Sequence, residues 1–173
     1  MTRWIAALPL VALALLAAVF AGYSLHHDPH VNPSALVGKP LPDLSLPPLD
    51  GGPPRRLRSD AGPATLVNFY GSYCIPCAQE HPALMALKAE GVRIIGVAWK
   101  DKPDNTKAML ARLGDPFAET LVDADGRAGI EFGVSGAPET FLVGPDGRIL
   151  AKHTGPLTPD AAEALMEQAR AGR

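Results

Sequence analysis

The stretch from Leu66 to Cys77 reads LVNFYGSYCIPC and carries the strongest structural signal in the chain. Its apolar first half belongs to a buried strand that we predict over Ala64 to Tyr70. Helical residues follow Pro76 up to Gly91, and proline suits the first turn of a helix because its missing N–H has no intrahelical partner there. The two cysteines of the chain therefore lie where a strand ends and a helix begins.

The spacing of these cysteines favours dithiol–disulfide exchange. Cys74 is expected to be exposed at the helix N-terminus, where free N–H groups and a partial positive charge lower the pKa of a thiol. Cys77 lies one turn later and can resolve a mixed disulfide. A structural disulfide is a weak alternative, because closing so short a loop removes little entropy from the unfolded chain. A metal site that recruits His81 is a second alternative, although no fourth ligand is evident.

The elements around this segment predict an α/β fold. A hairpin is expected around Asp50 to Gly52, at an edge because prolines flank it. The apolar run from Val92 to Trp99 is typical of a parallel strand that is covered on both faces. Asp104 is expected to cap the next helix, which Gly114 ends. The remaining elements are a strand over Glu119 to Val122, a hairpin of Thr140 to Val143 with Arg148 to His153, and a last helix capped by Thr158. This order predicts a mixed central sheet flanked by helices.

Composition excludes several classes of protein. The 173 residues include 16 Lys and Arg against 18 Asp and Glu, so no basic excess exists to bind nucleic acid. A hydrophobic fraction of 47% with 20% charged residues excludes a disordered chain. Two cysteines can build neither a disulfide scaffold nor a four-thiolate zinc site.

The N-terminus is expected to anchor the protein in a membrane. No charged residue occurs from Trp4 to Leu25, which is long enough to cross a bilayer as a helix. Arg3 before it predicts that the rest of the chain lies outside the cytoplasm. A signal peptide cleaved after Ala21 is the alternative. We therefore predict three regions: a signal-anchor helix over 1–25, a linker over 26–36 and an exported domain over 37–173.

Three further motifs carry a resemblance to a known family. They are GKPLPD from Gly38 to Asp43, EHP from Glu80 to Pro82, and GVSGAPETFLV from Gly133 to Val143. Together with the CIPC segment they resemble the CcmG/DsbE group of thiol:disulfide interchange proteins, over roughly residues 37 to 170. The resemblance implies a thioredoxin-like fold with an N-terminal β-hairpin extension.

The resemblance also implies roles for residues around Cys74, Cys77 and Pro76. Pro138 is expected to be a cis-proline that faces the disulfide, with the backbone of Ala137 pairing with a substrate. Asn68 occupies the position where ordinary thioredoxins carry a buried aspartate. Glu80 and Glu139 are expected near the active site, with Glu139 within several ångströms of Cys74; ordinary surface carboxylates are the alternative for both. Tyr73 departs from the tryptophan that is usual in the family.

The function implied is that of a periplasmic reductant. Members of this group are tethered to the bacterial inner membrane by one helix, with the catalytic domain in the periplasm, and serve cytochrome c maturation. The expected substrate is apocytochrome c or a thiol protein of that process, and an integral-membrane thiol-disulfide carrier is the expected reductant. No metal and no cofactor beyond the Cys74–Cys77 disulfide is expected.

Two alternatives stay open at this point. A general periplasmic disulfide reductase or isomerase would use the same chemistry on other substrates. A copper metallochaperone with a thioredoxin-like fold is less favoured, because such proteins typically space their cysteines C-x3-C, whereas this chain has C-x2-C.

Overall fold

A computed structural model describes residues 8–26, 36–57 and 64–171. The chain divides into two compact units, residues 1–32 and 33–173. The first unit contains helix α1, Leu8–His26. Within the described parts of the chain, no helix combines the length and the apolarity that spanning a membrane requires.

The second unit contains seven strands and four helices among the described residues. In chain order they are β1 (Ser45–Leu46), β2 (Arg55–Arg56), β3 (Thr65–Tyr70), α2 (Ile75–Ala89), β4 (Arg93–Trp99), α3 (Pro103–Leu113), β5 (Glu119–Asp123), α4 (Arg127–Glu131), β6 (Glu139–Val143), β7 (Ile149–Thr154) and α5 (Pro159–Ala171). The mixed α/β architecture predicted from the sequence is confirmed.

The central sheet has the strand order β5-β4-β3-β6-β7. Strands β3, β4 and β5 are parallel, whereas β6 is antiparallel to β3 and β7 is antiparallel to β6. The units β3–α2–β4 and β4–α3–β5 step in the same direction across the sheet, so their helices cover the same face. Buried residues of α2, α3 and α5 form one apolar cluster on that face, and Ala128 of α4 belongs to the cluster on the other. Helices thus cover both faces, as expected.

The predicted N-terminal hairpin is present as the short antiparallel pair β1 and β2. It lies along the edge strand β5, where the Leu49 N–H donates to Thr120 O at 2.9 Å and the Val122 N–H donates to Pro47 O at 2.8 Å. The edge position that the prolines suggested is therefore confirmed. This contact covers a strand edge that would otherwise be open to other chains.

One local expectation is wrong, and one short helix was not predicted. Asp104 lies inside the first turn of α3, and the N-cap residue is Lys102, which makes no side-chain capping bond. Instead, the Asp101 carboxylate accepts a hydrogen bond from the Lys102 N–H at the start of α3, at 2.8 Å. Helix α4, with five residues, was not expected, because a helix of barely more than one turn leaves no readable periodicity.

Candidate active site

The two cysteines form a disulfide bond at the start of α2. Cys74 is the N-cap residue, and the Cys77 N–H donates to its Sγ at 3.2 Å. Cys77 is 1% exposed, whereas Cys74 is half-buried. In the reduced protein, the same N–H and the helix dipole would stabilise a thiolate on Cys74. The more accessible sulfur is thus also the one that the helix activates.

The loop that precedes β6 faces this disulfide. Cys74 Sγ lies 3.5 Å from Ala137 O. The Ala137–Pro138 peptide bond is cis, as the family resemblance implies, and Pro138 is buried. The backbone of Ala137 therefore lies beside the disulfide, where the family resemblance implies that a substrate chain pairs.

A buried polar network connects the sheet to the cysteine helix. Asn68 and Thr140 are paired across β3 and β6, and Asn68 Nδ2 donates to Thr140 Oγ1 at 3.0 Å. The same amide donates to Glu80 Oε1 at 2.9 Å, and the Leu157 N–H donates to Glu80 Oε2 at 2.8 Å. Glu80 follows Cys77 by three residues on α2, and both side chains are 1% exposed. Residues at this spacing share a helix face, so the carboxyl and the inner thiol both lie on the buried face of α2.

Burial changes the ionisation of this carboxyl. Desolvation raises the pKa of Glu80 from 4.5 to about 7, against the lowering effect of the hydrogen bonds from Leu157 and Asn68. A carboxyl that titrates near neutral pH can exchange a proton with a thiol in both directions.

Glu139 has a different environment from the one that the sequence suggested. Thr140 points toward Asn68, and successive residues of a strand alternate between faces, so Glu139 lies on the opposite face of the sheet. There its Oε2 pairs with Lys152 Nζ at 2.8 Å, and its Oε1 accepts from the N–H and hydroxyl of Ser135 at 3.1 and 2.5 Å. We expected Glu139 within several ångströms of Cys74, but its carboxylate lies on the face of the sheet opposite Asn68. Its hydrogen bonds to Ser135 instead hold the loop that leads to Pro138.

Tyr73 forms the exposed rim of the site. Its side chain is 58% exposed, and its hydroxyl donates to Trp99 O at 3.1 Å. Partial burial, and secondarily the negative charge of Asp101, raise the pKa of Tyr73. The ring lies so close to Gly71 that a Cβ there would come within 2.7 Å of it. The tyrosine thus retains an aromatic cover beside Cys74 and adds a hydrogen bond.

The metal-site alternative gains no support from the geometry. His81 is buried, and its Nε2 lies 2.9 Å from Gly114 O in the loop after α3. Over the described ranges, no group of three or more His, Cys, Asp and Glu side chains is arranged to hold a metal ion.

Sequence reasoning missed Asp101. This residue follows the buried strand β4 and is 5% exposed, and it accepts a hydrogen bond from the Ser72 N–H at 2.7 Å. The available signal was an acidic residue at the carboxyl end of a buried parallel strand. That strand, β4, pairs with β3, which leads into the cysteines.

Comparisons with known proteins identify the family. The profile described as Redoxin matches residues 36–169. The thiol:disulfide interchange protein HelX of Rhodobacter capsulatus is 42% identical over 170 residues, which covers 95% of this chain and 94% of HelX. This chain belongs to the Redoxin family, in its DsbE/HelX group. The thiol:disulfide interchange proteins DsbE of Allochromatium vinosum and Escherichia coli K12 are 47% and 37% identical, covering 85% and 92% of this chain and 81% and 89% of their own lengths.

Solved structures agree with a Redoxin fold. A thioredoxin-like protein from Porphyromonas gingivalis superposes with a TM-score of 0.60 at 27% identity, over 77% of this chain and 94% of its own. A secreted disulfide oxidoreductase from Mycobacterium tuberculosis superposes with a TM-score of 0.61 over 75% of this chain and 96% of its own; at 21% identity it supports the fold alone. The DsbE/HelX relatives together with the Cys74–Cys77 pair establish a thiol:disulfide oxidoreductase.

Proposed function

We propose that this oxidoreductase is a periplasmic reductant that keeps the haem-binding cysteines of apocytochrome c, or of a thiol protein that serves them, in the reduced state. The observation that carries the proposal is the disulfide between the N-cap and the first turn of α2, with Cys74 Sγ 3.5 Å from Ala137 O. Haem attachment at a C-x-x-C-H site needs free thiols, which tend to pair in an oxidising compartment.

The exchange proceeds in two steps. In the reduced protein, the Cys74 thiolate attacks one sulfur of the substrate disulfide, which forms a mixed disulfide and releases one substrate thiolate. The Cys77 thiolate then attacks Cys74 Sγ, and the second substrate thiolate leaves. Two electrons pass to the substrate, and the protein ends with the disulfide that the structure contains. An integral-membrane thiol-disulfide carrier returns two electrons to it.

The remaining site residues support these steps. Glu80 takes the proton that Cys77 must lose before it attacks, and Asn68 orients the Glu80 carboxyl through their 2.9 Å hydrogen bond. Pro138 shapes the loop that receives the substrate backbone at Ala137. Tyr73 and Pro76 flank Cys74 on the exposed side and restrain it.

The proposed location is the inner membrane, crossed once by residues 1–25, with residues 26–36 as a linker and residues 37–173 in the periplasm. Helix α1 contains no charged residue over its 19 residues. Apolar side chains along it are exposed, Val19 and Phe20 each to 67%. An apolar surface of this kind calls for a lipid environment or a partner. The support for lipid comes from the sequence, because the uncharged stretch from Trp4 to Leu25 begins before the described part of α1 and is long enough to cross a bilayer.

Trapping the mixed disulfide tests the function. The full chain carrying Cys77→Ser should accumulate a mixed disulfide through Cys74 in the periplasm, and mass spectrometry should identify an apocytochrome c or a dedicated thiol partner in it. The matched control carries Cys74→Ser, which should trap nothing. A broad set of unrelated periplasmic proteins in the trapped fraction would instead identify a general disulfide reductase or isomerase.

A further inference from the structure

Asp101 joins the cysteine loop to the next helix of the fold. Its carboxylate accepts four hydrogen bonds although it is 5% exposed. Two come from Ser72, from the N–H to Oδ2 at 2.7 Å and from the hydroxyl to Oδ1 at 3.0 Å. Two come from the start of α3, from the Lys102 N–H at 2.8 Å and from Thr106 Oγ1 at 3.0 Å. All four lone-pair directions of a carboxylate are thus used.

A second attachment lies two residues before it along β4. The Tyr73 hydroxyl donates to Trp99 O at 3.1 Å. The Trp99 indole packs directly on Gly129 of α4, which leaves no room for a Cβ at that glycine. The loop from Gly71 to Tyr73 is therefore tied at two points to the carboxyl end of β4, which is itself packed against two helices.

We propose that Asp101 is a positioning residue for the exchange reaction: it fixes the loop before Cys74 so that Cys74 is held as the N-cap of α2. The inference deepens the proposed function and depends on it. Cys74 follows Ser72 by two residues, and its N–H donates to Gly71 O at 3.2 Å, inside the loop that Asp101 restrains. With the loop released, Cys74 Sγ loses its alignment with the Cys77 N–H, and the thiolate loses a donor. Asp101 acts through this loop and does not contact the sulfur in the described contacts.

The test must separate geometry from charge. A negative charge near Cys74 disfavours its thiolate, so Asp101→Asn would remove the anchor and a repulsive charge together. Asp101→Glu keeps the charge and displaces the carboxylate by one methylene. Asp146→Glu is the control, because the Asp146 carboxylate likewise accepts from a backbone N–H, that of Arg148 at 3.1 Å, but lies in the turn between β6 and β7.

The measurement is the pH profile of iodoacetamide labelling of Cys74, in the full chain with Cys77→Ser so that one thiol reacts. Asp101→Glu should move the midpoint of labelling upward by about half a pH unit or more, a threefold loss of thiolate below the midpoint. Asp146→Glu should leave the midpoint in place. Glu80 is present in every variant, so its own titration is common to all profiles. An unchanged midpoint in Asp101→Glu, or an equal shift in Asp146→Glu, would overturn the proposal.

A milder variant covers the case in which Asp101→Glu does not fold. Ser72→Ala removes one of the four hydrogen bonds and should move the midpoint in the same direction by a smaller amount. An unchanged midpoint there, with Asp101→Glu unfolded, would also refute the proposal. Labelling needs no substrate disulfide, so it reports on Asp101 even if the parent protein reduces no cytochrome thiol. Failure of the proposed function would appear separately, as absence of cytochrome c proteins from the trapped fraction.

Discussion

Asn68 and Glu80 form a buried hydrogen bond of 2.9 Å that joins the central strand of the sheet to the helix that begins at the disulfide. The Glu80 side chain is 1% exposed, and this burial raises the pKa of its carboxyl to about 7. Protonation of a group in this position is linked to folding stability, and in the proposed mechanism it is also linked to the reaction of Cys77.

The contribution of Glu80 to the stability of the folded protein should fall between pH 4.5 and about 7. The pKa of Glu80 is higher in the folded state than the ordinary value of 4.5, so the folded state binds more protons in this interval. The contribution of Glu80 to stability is therefore fully present below pH 4.5, declines as pH rises, and is lost above about 7. The shift in the pKa of Glu80 corresponds to a loss of about 3 kcal/mol in the free energy of unfolding.

Glu80→Gln should abolish this part of the decline, which urea unfolding at several pH values would measure. Glu90→Gln is the control, because Glu90 is exposed and caps the end of the same helix, and it should leave the decline in place. Parallel pH curves for the parent and Glu80→Gln would contradict the assignment.

Glu80→Gln should also slow the resolution of the mixed disulfide. Without the carboxylate, Cys77 loses the acceptor proposed for its proton, and general bases of this kind contribute about a hundredfold or more to a rate. Stopped-flow measurement at pH 7 with a model peptide disulfide should show normal attack by Cys74 and a lasting mixed disulfide. Raising the pH should restore resolution. Equal resolution rates in both proteins would mean that water serves as the acceptor.

Glu139→Gln should destabilise the fold and leave Cys74 little changed. The substitution leaves Lys152, whose side chain is 3% exposed, without its partner, and breaking a buried ion pair costs about 3 kcal/mol. The double variant Glu139→Gln/Lys152→Met should recover part of this loss in thermal unfolding. Thiolate absorbance should titrate as in the parent, because Glu139 lies on the other face of the sheet. A clear fall in the pKa of Cys74 would instead mean that Glu139 acts on the thiol electrostatically, as its expected proximity to Cys74 would allow.

The N-terminal segment should be retained in the mature protein. Mass spectrometry of the membrane fraction should find peptides that begin at the first residues of the chain, because an uncharged stretch of this length favours an anchor over a cleaved signal peptide. A mature N-terminus at Gly22 would show cleavage and a released domain.

Short-range sequence patterns were sufficient to predict the strand and the helix that hold the cysteine pair. The boundary between β3 and α2 could be predicted because an apolar strand, a turn and a helix-starting proline follow one another within Leu66 to Cys77. The parallel character of β4 followed from its unbroken apolar run. In both cases the determining interactions are local or depend on simple burial, so neighbouring residues carry the information.

Only the tertiary structure showed where each of the three carboxylates lies relative to the cysteines. Glu80, Glu139 and Asp101 are alike as isolated acidic residues in a sequence, and the resemblance placed the first two together. The pairing of Asn68 with Thr140, 72 residues apart, turns Glu139 to the opposite face, and the bond from Ser72 to Asp101 spans 29 residues. Strand register and helix docking set these contacts, and a shift of one residue in a strand reverses the face of every side chain. The sequence by itself therefore determined where the redox pair lies, and the packed sheet determined the charges and hydrogen bonds that surround it.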